Sequence, residues 1–68
     1  MNSQALAQFS KMAKEARERL NLTQAEVAEK AGNVTVNYYA MIERGEVNPS
    51  FNKMKSIAKV LKLKITFS

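Results

Sequence analysis

LTQAEVAEKAGNVTVNYYAMIERG, residues 22–45, is the part of this chain that says most about its fold. Thr23 can accept a hydrogen bond from the backbone N–H of Glu26, whose side chain can reach back to the backbone of Thr23. This capping box predicts a helix of about residues 23–31. Gly32 then supplies the positive φ with which many helices end. A short helix followed by a tight turn is therefore expected.

The second half of this stretch predicts another helix, of about residues 35–44. Local propensity opposes it, because residues 34–39, apart from Asn37, are β-branched or aromatic and would alone indicate a strand. Tyr39 and Ile42, however, lie three residues apart on one helical face, and Gly45 closes the segment. Propensity is a weak guide against tertiary context. Two helices joined by a tight turn form a helix-turn-helix, whose second helix enters the major groove of DNA.

Two more helices and a strand complete the prediction. Helix 1 ends near Leu20, and helix 4 is capped by Ser50. Residues 62–67 alternate between apolar and polar side chains, which predicts a short C-terminal β-strand. The expected fold class is all-α, a single domain of residues 1–68 made of four helices and that strand. The apolar stripes are Phe9, Ala13, Ala16 and Leu20 in helix 1, and Phe51, Met54, Ile57, Ala58 and Leu61 in helix 4.

The chain resembles the Cro/Xre-type helix-turn-helix family, which includes lambdoid phage repressors, restriction-modification controllers and antitoxins. The residues that carry the resemblance are 22–28, Ala31-Gly32, residues 42–45 and Asn48-Pro49-Ser50. The resemblance implies a compact lambda-repressor-like domain that binds double-stranded DNA and regulates transcription. It favours a repressor that binds an inverted-repeat operator as a homodimer. The alternative is an antitoxin or protein-interaction module whose main partner is a protein toxin, with DNA binding secondary.

The expected base contacts lie on the outer face of the second helix of the motif, the recognition helix. If Tyr39 and Ile42 face the core, the opposite face points outward at 100° per residue. Carried over from the family, the base-reading side chains are Val36, Asn37 and Met41, with Thr35 as the helix cap. Only Asn37 can make a bidentate pair, for which adenine is the natural partner, and the others offer methyl groups to thymine. An A·T-biased half-site is expected.

The expected phosphate contacts lie at the start of helix 2, on the flank of the recognition helix and in the loop after it. Gln24 sits in the first turn of helix 2, where backbone N–H groups and the helix dipole favour an anion. The resemblance implies that this glutamine holds the sugar-phosphate backbone. For Tyr38 a half-buried packing role is an equal alternative. The full set is Thr23, Gln24, Tyr38, Arg44, Asn48 and Ser50.

Two further features concern structure and assembly. Relatives pair an arginine of helix 1 with the glutamate before the closing glycine, which implies a partly buried ion pair between Arg17 and Glu43. Two solvated surface charges are the alternative. Leu63, Ile65 and Phe67 share one face of the predicted strand. We expect this strand to pair with its copy across a two-fold axis and so to dimerise the protein, unless it is a frayed tail.

Composition narrows the function further. The 68 residues have a net charge of +5 and contain no histidine, no cysteine and no aspartate. Disulfides and thiolate or imidazole metal sites are excluded, and most nucleophile–base arrangements cannot be built, so neither an enzyme nor a cofactor is expected. Without an apolar run of membrane-spanning length or a signal-peptide core, the expected location is the cytoplasm. The excess positive charge comes from residues 51–68 and suits a polyanion.

Overall fold

The structure, a computed structural model, describes residues 3–64 and the side chains of residues 7–64. Within that range it contains four helices: α1 (Ser3–Arg19), α2 (Gln24–Ala31), α3 (Val36–Glu43) and α4 (Phe51–Leu61). Helices α1 and α2 each pack against both α3 and α4. The all-α prediction is therefore correct, and α2 and α3 are the two helices of the helix-turn-helix.

A hydroxyl side chain starts each of the three later helices. Thr23, Thr35 and Ser50 have extended backbones, and each accepts a hydrogen bond from the N–H three residues on, at 3.0, 3.0 and 3.3 Å. At α2 the Glu26 carboxylate also accepts from the Thr23 backbone N–H at 2.8 Å, which confirms the capping box. These bonds satisfy N–H groups that a helix cannot satisfy internally.

Segment 36–43 is helical despite its β-branched and aromatic residues. Tyr39 and Ile42 are both fully buried, and only a helix puts two residues three apart on the same face. The burial of these two large side chains outweighs local preferences that amount to a few tenths of a kcal/mol per residue. The prediction of a helix against propensity is confirmed.

Three helices end in the same hydrogen-bond pattern, the Schellman motif. In α1 and α3 the residue with positive φ is Asn21 (φ 59°) and Gly45 (φ 72°). In each case two backbone N–H groups turn back to carbonyls of the last helical turn, at 2.9 to 3.1 Å. Helix α2 ends more simply at Gly32 (φ 83°), whose N–H donates to the carbonyl of Ala28.

The third Schellman motif shows that the predicted C-terminal strand is wrong. Lys62 has φ 59° and ψ 35°, a left-handed conformation that cannot begin a strand. Its N–H donates to the carbonyl of Lys59 at 3.3 Å, and the N–H of Leu63 donates to that of Ala58 at 2.8 Å. No strand occurs anywhere in residues 3–64. Ile65, Phe67 and the rest of the tail lie outside the described residues.

The apolar alternation at the end of α4 has a helical explanation. Leu61 is the last core residue of the helix, and Leu63 is the apolar residue that commonly follows a Schellman motif and packs back on the helix. A pair of apolar residues two positions apart is thus as typical of a helix end as of a strand. Leu63 is partly buried against the core of the same chain. The dimerisation strand predicted from Leu63, Ile65 and Phe67 is therefore rejected.

The core lies between the four helices and matches most of the predicted stripes. Its buried members are Phe9, Ala13, Ala16, Val27, Ala28, Tyr39, Ile42, Ile57 and Leu61. Phe51 differs, because half of its surface is exposed and the Lys55 ammonium lies 5.3 Å from its ring centre. As the first residue of α4, Phe51 lies at the edge of the core rather than over it.

Candidate nucleic-acid interface

The N-terminal half of α3 is the most open part of the recognition helix. Val36 is 47% exposed, and Asn37 is exposed beside it. Met41, one turn further along, is partly buried. Thr35 is exposed, and its hydroxyl oxygen already accepts from the Tyr38 N–H, which leaves its proton, one lone pair and its methyl group for another partner. Asn37 and Met41 lie on the side opposite Tyr39, whereas Val36 lies at the flank of that face and Thr35 precedes the helix as its cap.

The C-terminal end of α3 is held by α1. The Ser10 hydroxyl, which is buried, donates to the carbonyl of Ile42 at 2.6 Å. Gly45 lies close by, since a Cβ there would sit 3.7 Å from the Ser10 oxygen. Sequence reasoning missed Ser10, although a serine next to Phe9 in an otherwise apolar stripe signals a buried polar contact.

Arg17 and Glu43 form the ion pair that ties α1 to α3. Arg17 Nε donates to Glu43 Oε2 at 2.6 Å, and Nη2 donates to Oε1 at 3.2 Å. The side chain of Glu43 is only 3% exposed and that of Arg17 is 14% exposed. Arg17 Nη1 also donates to the Leu22 carbonyl at 2.9 Å, in the loop before α2. One guanidinium therefore joins α1, the start of the helix-turn-helix and the end of α3.

The environment of this pair shifts three pKa values. Burial alone would raise the pKa of Glu43, but hydrogen bonds from Arg17 and Gln24 and the nearby Tyr39 hydroxyl hold it below its ordinary value. The hydrogen bond to Glu43 raises the pKa of Arg17. Burial, and then the neighbouring carboxylate, raise the pKa of Tyr39 far above its usual range. Tyr39 Oη lies beside Glu43 without a hydrogen bond of good geometry to any described residue.

Gln24 joins the same cluster from α2. Its Nε2 donates to Glu43 Oε1 at 2.9 Å. An amide nitrogen has two N–H groups, so one remains for another acceptor. Gln24 is partly exposed in the first turn of α2, where unsatisfied backbone N–H groups also point outward. Glu43 thus orients the amide that the sequence predicts for a phosphate contact.

Thr23 is less open to an anion than Gln24. Its hydroxyl oxygen and backbone N–H are both used by the capping box with Glu26. Hydrogen bonds from the Thr23 backbone and side chain lower the pKa of Glu26, so this carboxylate is charged at neutral pH and offsets the positive end of the helix dipole.

Arg44 has an acidic partner that sequence reasoning missed. Its Nε and Nη2 donate to the two carboxylate oxygens of Glu46, both at 2.9 Å. The two side chains are 53% and 50% exposed. The hydrogen bonds between them raise the pKa of Arg44 and lower that of Glu46. No sequence pattern at a spacing of two residues predicts this pair, because it depends on the turn at Gly45.

The remaining candidates flank α3 on the side of α4. Tyr38 is partly buried, and the Lys53 ammonium lies 6.0 Å from the centre of its ring. Asn48 and Ser50 are exposed in the segment between α3 and α4, where Ser50 caps α4. The turn before α3 is tied to α4 as well, since Asn33 Nδ2 donates to Ser56 Oγ at 3.1 Å. Lys53 thus adds a cation beside Tyr38.

The described part of the chain offers neither a cluster of metal ligands nor a membrane-spanning helix. Residues 3–64 contain no group of three or more acidic, cysteine or histidine side chains that could hold a metal ion. In the same range, none of the helices combines the length and the apolar character needed to cross a membrane.

Comparison with known proteins agrees with this geometry. The sequence model of a helix-turn-helix family, the Cro/C1 type, matches residues 14–67, which include α2, α3 and α4 in full and the end of α1. No individual curated protein and no solved structure matches the chain significantly.

Proposed function

We propose, because this chain belongs to the Cro/C1-type helix-turn-helix family of DNA-binding regulators, that it is a transcriptional repressor that binds an inverted-repeat operator as a homodimer. DNA binding and regulation follow from the family. Repression, the operator and the dimer are our proposal. Its place of action would be the cytoplasm, where a cell without a nucleus keeps its DNA.

The open tip of α3 is the observation that carries the proposal. Val36 and Asn37 are exposed at the start of a helix whose other face and far end are fixed to the protein. An amide at the tip of a helix can reach adenine N6 and N7 in the major groove, and a valine beside it can contact a thymine methyl. The described tip carries no cation that could read guanine, so the operator half-site should be rich in A·T.

Phosphate contacts would be made by residues on both sides of the recognition helix α3. Gln24 offers one free amide N–H next to the backbone N–H groups of the first turn of α2. Arg44, Asn48 and Ser50 lie on the other side of α3, where the loop meets the start of α4. Contacts of this kind fix the orientation of the protein on DNA and carry no sequence information themselves.

A dimer is proposed because one recognition helix reads few bases. Four candidate side chains on α3 give little discrimination, and two copies related by a two-fold axis would double the site. Two recognition helices about 34 Å apart would reach successive turns of the major groove. The expected results are a dimer by sedimentation and a palindromic operator.

Selection of binding sites from random DNA, followed by measurements on variants, tests this function. Asn37→Ala should weaken binding to the selected operator by about 1–3 kcal/mol and relax one base position. Asn52→Ala, which changes an exposed asparagine on α4, is the matched control and should leave the affinity unchanged. Selected half-sites with G·C at their centre, or equal effects of the two substitutions, would refute the assignment of Asn37.

A protein partner is the second candidate, and the basic face of α4 favours it. An open groove of about 340 Å³ is lined by Lys55, Ala58, Lys59 and Leu63. Both charged residues in this lining are lysines. An acidic protein, such as a toxin that the domain neutralises, would suit this groove. Lys55→Gln with Lys59→Gln should then abolish co-purification with a co-expressed toxin and weaken operator binding no more than the charge-matched control, Lys11→Gln with Lys14→Gln in α1.

A further inference from the structure

We propose that Glu46 is a built-in competitor of DNA for Arg44. In the free protein its carboxylate occupies the guanidinium, and in the complex a backbone phosphate takes its place. Glu46 would therefore lower the affinity for DNA without contacting a base. The inference rests on the proposed DNA-binding function and goes beyond it, because it assigns a role to a residue that opposes binding.

The geometry of the pair is that of a phosphate contact. Arg44 Nε and Nη2 reach the two oxygens of Glu46 at 2.9 Å each, which is the parallel fork that arginine also makes with two phosphate oxygens. The carboxylate thus fills the edge of the guanidinium that a phosphate would use. A phosphate on the opposite edge would leave two anions beside one cation, which is unfavourable.

The exposure of the pair makes the exchange feasible. Both side chains are about half exposed, so DNA could reach Arg44 without any change in the core. The interaction in an exposed ion pair of this kind raises the equilibrium constant for forming the pair by at most about fivefold. Glu46 would therefore reduce DNA affinity by a modest factor and would not prevent binding.

Gln24 and Glu43 provide the contrast. The Glu43 side chain is 3% exposed and its carboxylate is held by Arg17, so a DNA phosphate cannot displace it. Gln24 has a second amide N–H for phosphate, so it can contact DNA and keep its hydrogen bond to Glu43. Gln24 and Arg44, two of the predicted phosphate contacts, are thus both bound to a carboxylate at or just after the end of α3, but of these two only Arg44 must exchange partners to contact DNA.

The salt dependence of binding gives the sharpest readout. Each phosphate contact steepens the slope of log K against log salt by about 0.9. In Glu46→Gln, Arg44 has lost its competitor and should contact phosphate fully. We expect binding tighter by between about twofold and fivefold at low salt and a slope steeper by up to about 0.9. Phosphate contacts do not read sequence, so the gain should be equal for operator and non-operator DNA.

The experiment is a set of fluorescence-anisotropy titrations with a labelled mixed-sequence duplex at several salt concentrations. Arg44→Ala, alone and combined with Glu46→Gln, completes a double-mutant cycle. Without Arg44, Glu46→Gln should gain less than about twofold, because only general repulsion of DNA is relieved. Glu29→Gln removes an exposed charge about 7.5 Å further along α2 than Gln24 and is the matched control.

Each outcome supports or refutes the inference. Tighter binding of Glu46→Gln that depends on Arg44 supports it. An equal gain in the Arg44→Ala background, or an equal gain from Glu29→Gln, would reduce Glu46 to one negative charge among several and refute the competition. Wild-type protein that does not bind the duplex even at low salt would refute the proposed function itself. Normal binding by the wild-type protein with no effect of Glu46→Gln would refute only the competition.

Discussion

Replacing Arg17 by methionine tests how much the α1–α3 link stabilises the domain. Methionine keeps most of the length of the arginine stem but removes every N–H donor. Glu43 would be left nearly fully buried, with only the Gln24 amide as a described hydrogen-bond donor. The Leu22 carbonyl would lose its arginine partner as well. A buried carboxylate without its counter-charge is the main source of the expected destabilisation.

The expected loss is about 3 kcal/mol. Removing one partner of a buried ion pair costs roughly 3–5 kcal/mol, and the lower end applies because 14% of the Arg17 side chain still reaches water. Native domains are stable by roughly 0.05–0.15 kcal/mol per residue, which for 68 residues is about 3–10 kcal/mol. Arg17→Met should therefore remove at least about a third of the free energy of unfolding.

Urea unfolding followed by circular dichroism measures this loss. With a slope of about 1 kcal/mol per molar urea, the midpoint should fall by about 3 M. Arg19→Met, an exposed arginine two residues along the same helix, should change stability by no more than about 0.5 kcal/mol. If Arg17→Met does not fold, adding Glu43→Gln should restore part of the stability by removing the stranded charge. Equal midpoints for Arg17→Met and Arg19→Met would refute the reasoning.

Three further predictions concern the helix ends and the buried carboxylate. Because the folded pKa of Glu43 is lowered, its contribution to stability is complete above the unfolded value of about 4.3 and is lost as the pH falls through the folded value. Urea midpoints should therefore fall in acid, and less steeply for Glu43→Gln; equal acid profiles would contradict this. Lys62→Gly should stabilise the protein by up to about 1 kcal/mol, because Lys62 has a positive φ that glycine adopts without strain. Lys59→Gly, within α4, should instead destabilise by about 1 kcal/mol, and thermal melting of both variants checks the pair. Thr35→Ala should cost about 1 kcal/mol by removing the cap of α3, and Thr35→Ser should melt close to wild type.

The features that sequence predicted well are those encoded within a few residues. The cap at Thr23 could be placed from the Thr23–Glu26 capping box and that at Ser50 from the apolar stripe it precedes, whereas that at Thr35 comes from the family resemblance. The rotation of α3 followed from Tyr39 and Ile42, because two large apolar residues three apart must share a buried face. Such signals do not depend on how distant segments meet.

Other features could not be predicted, either because a short sequence pattern fits two structures or because the contact depends on the tertiary fold. The two apolar residues Leu61 and Leu63 fit a strand and a Schellman motif equally well, and only the backbone at Lys62 distinguishes them. The Arg44–Glu46 pair depends on the turn between the two residues rather than on a helical spacing. The bond from Gln24 to Glu43 spans 19 residues and exists only because α2 packs against the end of α3.

The contacts of α3 divide it into a fixed end and an open end. Ser10 and Arg17 from α1 hold its last turn through one carbonyl and one carboxylate. Its first turn is fixed mainly by the Thr35 cap, while Val36 and Asn37 are exposed. If the proposed base contacts are made by these two exposed residues, substituting them should alter the bases that are read at little cost in stability. The polar contacts at the other end keep the helix at a constant angle to the protein. Under the proposed function, a domain of this size could change its operator by substitutions at the tip of α3 without changing the packing that positions the helix.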